Sequence, residues 1–212
     1  FEKYIMLNYL RKKYFNRMFL HQCLFEINHN IFLKKNIKDI FKNGYSIFDE
    51  KFPFENLNLE KYLDYSDYNF VASHKKIEIK DLKKIYAILQ KNGVISLIKN
   101  YLGNKIYSYD NTIMTLGNKI CKDGSMQPHH DSKFRRIKIY IWMNDKDLET
   151  HPLYYLKKTH KEIRNWKNYD ETRFPNIDPK KFDAIYGERG SIIIFDTHGI
   201  HSHFKTTNVP RS

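Results

Sequence analysis

The chain has 212 residues, of which 41% are hydrophobic and 16% aromatic, and it carries a formal net charge of +13. This composition excludes a disordered chain, which would be poor in Tyr, Phe and Ile, and the length fits one domain with a substantial core. No run of about 18 uncharged apolar residues occurs, which excludes an ordinary membrane-spanning helix.

Cysteine usage and charge narrow the class of protein further. Cys23 and Cys121 lie far apart and in no metal-binding spacing, so we expect neither a disulfide scaffold nor a zinc cluster, but a reducing, cytoplasmic compartment. The positive charge comes mainly from Lys scattered among Asn, Ile and Tyr, so nucleic acid is not the expected partner. Because the sequence begins with Phe1 instead of Met, the presence of an upstream targeting segment stays an open question.

The N-terminal segment begins a region that is predicted to be mainly helical. Residues 1–27 place large apolar side chains among Lys and Arg without Pro or Gly, which predicts a long helix with a wide apolar face. A short helix over 37–42 is expected to end at Gly44 and to lead into a strand over 45–48.

The next segment is polar and then becomes helical again. Residues 52–70 are rich in Asn, Asp, Tyr and Glu and have weak periodicity, which predicts a loop, with one helical turn at most, that could act as a substrate lid. Apolar residues at helical spacing over 81–101 predict a helix that is interrupted or stopped near Asn92-Gly93.

Beyond residue 103 the sequence takes on the pattern of an antiparallel β-structure. Short segments rich in Ile, Tyr and Thr alternate with Gly, Asp, Asn and Pro. The predicted strands cover 106–116, 137–143, 153–156 and 191–195. We therefore predict one α+β domain over 1–212, with a mainly helical flank over 1–103 and a β-rich core over 104–212. The core is predicted to be a jelly roll, a cupin-like double-stranded β-helix, with the helices against one sheet.

The segment Gln127-Pro128-His129-His130-Asp131 carries a metal-binding pattern. Residues two apart on a strand point to the same face, so His129 and Asp131 can offer a nitrogen and an oxygen to one ion while His130 points away. Two His and one carboxylate on one face of an octahedron are typical of non-haem iron(II) oxygenases. On this tripeptide alone, a surface strand with a solvated His and Asp would be the preferred interpretation.

A second segment makes a metal site the preferred interpretation over a solvated surface strand. The apolar strand over 191–195 runs into Asp196-Thr197-His198-Gly199-Ile200-His201, and Arg211 follows ten residues after His201. A guanidinium can bind the distal carboxylate of an iron-chelating 2-oxoglutarate in a bidentate way, which Lys cannot do. His198 and His203 compete with His201 as the distal metal ligand, because one sequence does not determine which way a turn points.

Four stretches, in this order, resemble the phytanoyl-CoA dioxygenase family of iron(II)/2-oxoglutarate oxygenases. They are Asn43 to Ile47, His129 to Asp131 with Ile137 to Asp145, His151 to Lys161, and Gly190 to His201 with Arg211. The resemblance spans residue 37 to the C-terminus. The chain departs from the family pattern at His151, at Lys157-Lys158 and at His203, and it ends one residue after Arg211, where a strand normally continues.

The resemblance implies a ligand set and a reaction. His129, Asp131 and His201 would hold Fe(II), with His201 favoured as the distal ligand, and Arg211 would bind 2-oxoglutarate. With dioxygen, the family oxidises an unactivated C–H bond and releases succinate and CO2. Related halogenases carry Ala or Gly at the position of Asp131, so a carboxylate there favours hydroxylation over halogenation.

Further contacts to 2-oxoglutarate are expected from strands flanking the first metal motif. Gln127, Lys138, Thr115 and Tyr140 are candidates, of which Gln127 should share the face of His129. Trp142 could line the pocket, although a place in the core is the more usual role for a buried Trp.

The expected substrate is a small organic molecule, anionic if the basic composition reflects its partner, with contacts from the loops 52–76 and 161–188. Two alternatives stay open: a non-catalytic jelly-roll binding protein, and an oxygenase that acts on a protein or nucleic acid. Failure to bind iron would favour the first, and a long basic groove beside the metal would favour the second. The sequence does not indicate an oligomeric state.

Overall fold

The computed structural model describes residues 31–55, 57–63, 72–102, 112–116, 127–131, 136–145, 152–162, 172–174 and 176–203. The α-helices in this part of the chain are α1 (Ile31–Asn43), α2 (Ile79–Lys91) and α3 (Val94–Leu102). The strands are β1 (Tyr45–Ile47), β2 (Ala72–Lys76), β3 (Thr112–Leu116), β4 (Ile137–Ile141), β5 (Leu153–Tyr155), β6 (Asp183–Ile185), β7 (Ile192–Asp196) and β8 (His201–Ser202). Short 3-10 helices cover Glu60–Tyr62, Thr159–Lys161 and Pro179–Lys181.

The helix boundaries follow the glycines that the sequence indicated. Helix α1 ends where Gly44 adopts a φ of +95° and its N–H donates to the carbonyl of Ile40 at 2.9 Å, a conformation that side-chain-bearing residues rarely adopt. Gly93, with a φ of +75°, separates α2 from α3 in the same way. Both predicted helix stops are therefore confirmed, while the helix predicted over 1–27 lies outside the described residues.

The predicted strands are found, and three further strands were missed. Strands β1, β4, β5 and β7 lie within or beside their predicted ranges, and β3 is the described part of 106–116. The missed strands are β2, β6 and β8. They are short or polar and are defined by pairing with distant partners, so no local alternation marks them in the sequence. The loop predicted over 52–70 contains the single helical turn at Glu60–Tyr62 in its described part.

The described strands form two three-stranded antiparallel sheets and a two-stranded ribbon. The first sheet has the order β1-β7-β4, the second has the order β6-β5-β8, and β2 pairs with β3. The central strand β7 is buried along its whole length, which explains why it reads as a continuous apolar run and not as an alternating one.

The two faces of β7 pack against different layers. Ile192 and Ile194 belong to a core shared with the three helices, whereas Ile193 and Phe195 belong to a core shared with the second sheet. The sheets therefore face one another across the second core, and the helices cover the outer face of the first sheet. This α+β arrangement agrees with the prediction, while the complete jelly roll and the domain limits stay predictions. No helix in the described ranges has the length and apolar character needed to cross a membrane.

Candidate metal centre

Backbone pairing brings the two predicted metal-binding histidines together. His129 and His201 form an antiparallel bridge in which each N–H donates to the carbonyl of the other, at 2.9 and 2.8 Å. Directly opposed residues of antiparallel segments project to the same face, so both imidazoles lie on one side. Asp131 follows two residues after His129 and is anchored by its N–H to the carbonyl of Thr197 at 2.9 Å.

The side chains of His129, Asp131 and His201 converge on a common point. Their ligand atoms all lie within 4.8 Å of one another. Oδ1 of Asp131 lies 3.3 Å from Nε2 of His129 and 3.7 Å from Nε2 of His201. Metal–nitrogen and metal–oxygen bonds of about 2.1 Å at right angles would place neighbouring ligand atoms about 3 Å apart. The three side chains therefore fit one divalent ion with modest adjustment.

Each imidazole is held by a backbone carbonyl two residues earlier. Nδ1 of His129 donates to the carbonyl of Gln127 at 2.7 Å, and Nδ1 of His201 donates to the carbonyl of Gly199 at 2.9 Å. A proton on Nδ1 leaves the lone pair on Nε2, which is the atom that faces the cluster. Nε2 of His201 is buried and has no hydrogen-bond partner in the described part of the chain, as expected for a nitrogen that coordinates a metal ion.

The protonation states also suit metal binding. Burial would raise the pKa of Asp131, but the adjacent imidazoles and the Lys138 ammonium favour its ionised form, and this pKa lies well below its ordinary value. Burial, and next the neighbouring His129, lowers the pKa of His201 well below its ordinary value. At neutral pH the cluster therefore presents an ionised carboxylate and a neutral imidazole at position 201.

The histidines that competed for the distal position lie outside this cluster. Nε2 of His198 bonds to the carbonyl of Glu162 at 2.8 Å. His203 stacks against Tyr140 with ring centroids 5.8 Å apart, and its Nε2 lies 3.3 Å from the Tyr140 hydroxyl. The geometry therefore selects His201 from the three.

His130 lies away from the cluster, as the sequence analysis expected, and His160 lies away from it as well. The His130 ring is buried beside the rings of Phe174 and His198, at centroid distances of 5.8 and 5.7 Å. His160 lies in a 3-10 turn and its Nε2 is 3.2 Å from the carbonyl of Phe41 in α1.

The structure describes the predicted co-substrate contacts only in part. Lys138 lies in the site, with Nζ 2.7 Å from Oδ2 of Asp131. The visible role of Gln127 is its backbone carbonyl, which orients His129. Thr115 lies on β3 opposite Ser73, and its side chain is outside what the structure describes, as is the whole of Arg211.

The two aromatic candidates, Tyr140 and Trp142, belong to the core between the sheets. Trp142 is buried there and Tyr140 packs against the same cluster. Trp142 thus takes the core role that was the more usual expectation, and Tyr140 lies two residues after Lys138 on the same face of β4.

Asp196 is a site-supporting residue that the sequence analysis missed. Its carboxylate is fully buried and accepts hydrogen bonds from the Tyr101 hydroxyl at 2.6 Å and from the His198 N–H at 2.9 Å. It therefore ties α3 to the turn that carries His201. A charged residue that directly follows four buried apolar positions was the available signal, because a buried carboxylate needs partners.

Gly199 is a second such residue. A Cβ at this position would lie 1.9 Å from Oη of Tyr155, whose hydroxyl donates to the carbonyl of Asp196 at 2.7 Å. The Tyr155 ring also lies nearly parallel to the His201 ring, with centroids 6.5 Å apart. The missing side chain lets Tyr155 lie against the turn, while the Gly199 carbonyl orients His201.

Comparisons with known proteins identify a shared fold. No family model and no curated protein sequence matches the chain. The solved structure of the epimerase SnoN in complex with Fe3+, alpha ketoglutarate and nogalamycin RO matches 84% of this chain and 80% of its own, with a TM-score of 0.50 and 13% identity. EvdMO1 matches with a TM-score of 0.51 and 13% identity over 84% of this chain, which spans about half of EvdMO1 (47%). At this identity the likeness concerns the fold.

Proposed function

We propose that this protein is an iron(II)- and 2-oxoglutarate-dependent oxygenase whose metal is held by His129, Asp131 and His201. The observation that carries the proposal is the convergence of their donor atoms within 4.8 Å, with the His201 ring packed against Tyr155 and Phe195 of the core between the two sheets. Two imidazoles and one carboxylate on one face of an octahedron leave three positions for a chelating co-substrate and dioxygen. The fold shared with SnoN, described in complex with Fe3+ and alpha ketoglutarate, supports this choice over other divalent metals.

The surroundings of the cluster suit that chemistry. Iron(II) bound there would supply dioxygen activation coupled to conversion of 2-oxoglutarate into succinate and CO2. The protein contributes orientation, since two backbone carbonyls hold the imidazoles, and it contributes exclusion of water, since Phe195 and Tyr155 pack against the His201 ring. A dry environment on this side protects a reactive centre from side reactions.

We propose hydroxylation of a C–H bond in a small organic substrate as the outcome. Asp131 as a ligand favours hydroxylation over halogenation in the resembling family, while SnoN is named an epimerase, which makes epimerisation the second candidate. Product mass separates the two, because hydroxylation adds one oxygen atom and epimerisation adds none. The formal net charge of +13 favours an anionic substrate.

Anaerobic titration followed by oxygenation tests the proposal. Addition of iron(II) and then 2-oxoglutarate is expected to produce the charge-transfer absorption of a chelated 2-oxo acid, and dioxygen is then expected to yield succinate in slow turnover without substrate. If the protein binds no divalent metal, the alternative of a non-catalytic binding fold is favoured. Metal binding without 2-oxoglutarate binding would point to a different metalloenzyme.

Arg211 is proposed to bind the distal carboxylate of 2-oxoglutarate. Arg211→Lys keeps the charge but removes the bidentate fork, so the KM for 2-oxoglutarate is expected to rise about 10- to 100-fold, which corresponds to about 1.5–3 kcal/mol for a hydrogen bond to a charged group. Metal affinity is expected to stay unchanged. Arg189→Lys is the matched control, since Arg189 is exposed and contacts Glu60 and Met143 instead. An unchanged KM for Arg211→Lys would remove this residue from the site.

A further inference from the structure

Lys138 places its ammonium group against the carboxylate of Asp131, a candidate metal ligand. It lies in the middle of β4, in register with Phe195 of β7, and its side chain projects toward Asp131 on a separate segment. Nζ lies 2.7 Å from Oδ2 of Asp131, and the Lys138 side chain is about one third exposed (31%). The ammonium group therefore contacts a predicted metal ligand directly.

The two oxygens of Asp131 have different partners as a result. Oδ1 lies 3.3 and 3.7 Å from the Nε2 atoms of His129 and His201, on the side where an ion would be held. Oδ2 forms an ion pair with the Lys138 ammonium, at an Nζ–Oδ2 distance of 2.7 Å. Arg136 is the next cation, with a guanidinium nitrogen 3.9 Å from Oδ2, beyond hydrogen-bond distance.

We propose that Lys138 is a positioning residue that restricts Asp131 to one metal-facing oxygen and thereby keeps three coordination positions open. An ammonium group that holds Oδ2 prevents the carboxylate from chelating the ion through both oxygens. A bidentate Asp131 would occupy a fourth position and leave only two. The inference rests on the proposed function in one respect, because 2-oxoglutarate needs two positions and dioxygen needs the third.

The sequence analysis predicted that Lys138 contacts 2-oxoglutarate, and this prediction and the positioning role differ when 2-oxoglutarate is absent. If Lys138 only contacted 2-oxoglutarate, its substitution would leave the number of water molecules on the bound metal unchanged as long as 2-oxoglutarate is absent. A positioning contact would alter the number of water molecules on the metal before any co-substrate is added. Counting metal-bound water therefore separates them.

The test uses Mn(II) and the relaxation rate of water protons, which reports the number of water molecules on the ion. In the intact protein three waters are expected to complete the octahedron; in Lys138→Gln the freed Oδ2 is expected to displace one, so the relaxation enhancement per bound Mn(II) falls by about one third. After 2-oxoglutarate is added, the intact protein is expected to retain one bound water and Lys138→Gln none. Lys138→Arg, which restores a cationic donor, is expected to recover the original values.

Arg136→Gln is the matched control, because it removes one positive charge near the same oxygen without removing the close contact. It is expected to keep the relaxation enhancement of the intact protein. Lys138→Met serves in the same measurement if Lys138→Gln fails to fold. Equal enhancement in the intact protein and in Lys138→Gln, or in Lys138→Met where it takes the place of Lys138→Gln, would overturn the inference, even if the KM for 2-oxoglutarate rises. Absence of Mn(II) binding by the intact protein would instead overturn the metal centre itself, and the inference with it.

Discussion

Asp131→Ala is expected to abolish both hydroxylation and the slow formation of succinate without substrate, and to weaken Mn(II) binding at least about 100-fold. Replacing a residue that merely supports a metal ligand typically costs 10- to 100-fold in affinity, so loss of a ligand should reach or exceed that range. Asp131 is also the only carboxylate of the three-residue cluster, so its loss leaves two neutral imidazoles facing a divalent cation. Isothermal titration with Mn(II) and succinate quantification measure the two effects.

His198→Ala is the matched control for this experiment. His198 is a buried histidine three residues before His201, but its Nε2 bonds to the carbonyl of Glu162 and not to the cluster. The variant is expected to lose about 1 kcal/mol of stability with the hydrogen bond and to keep its metal affinity. Wild-type turnover in Asp131→Ala would remove this residue from the ligand set, whereas a collapse of metal affinity in His198→Ala would indicate that the wrong histidine was assigned.

Gly199→Ala is expected to lower the free energy of unfolding by about 3 kcal/mol, at the upper end of the usual cost of overpacking a core. The added Cβ would meet Tyr155 Oη at 1.9 Å and Cζ at 2.5 Å, so the Tyr155 ring or the turn has to move. For a chain of this size the melting temperature should fall by about 6–12 °C. Because the Gly199 carbonyl orients His201, Mn(II) affinity should fall as well, by about 10- to 100-fold.

Two further variants isolate the cause in a thermal unfolding series with and without Mn(II). Tyr155→Phe removes the closest atom, so Gly199→Ala combined with Tyr155→Phe is expected to recover part of the lost stability, with the Cζ contact accounting for the remainder. Gly187→Ala is the matched control, since its nearest contacts, at 2.8–2.9 Å, are with side chains of Ser191 and Trp142 away from His201. An unfolding curve of Gly199→Ala that coincides with the original would contradict the packing argument.

Elements with a local signature were predictable. The second half of α1 with its end at Gly44, the break at Gly93 and the buried strand β7 each have their cause within a few residues, as a periodicity or as a backbone conformation that favours glycine, whereas the first half of α1, from Ile31, was not predicted. Strands β2 and β8 carry no such cause. Ala72–Lys76 is polar and His201–Ser202 has two residues, and each becomes a strand only through a partner at a distance along the chain.

The same distinction between local causes and long-range pairing applies to the candidate site. The amino-acid sequence alone determined that His129 and Asp131 share a face, because a spacing of two places side chains on one side of an extended chain. Spacing left His198 and His203 as rivals of His201, which only the family resemblance favoured, and the tertiary structure places His201 in the cluster through its bridge to His129. It likewise placed Nζ of Lys138 2.7 Å from Oδ2 of Asp131, a contact between two separate segments of the chain. Spacing along the chain determines which way side chains point within one segment, whereas the pairing of distant segments determines which side chains meet.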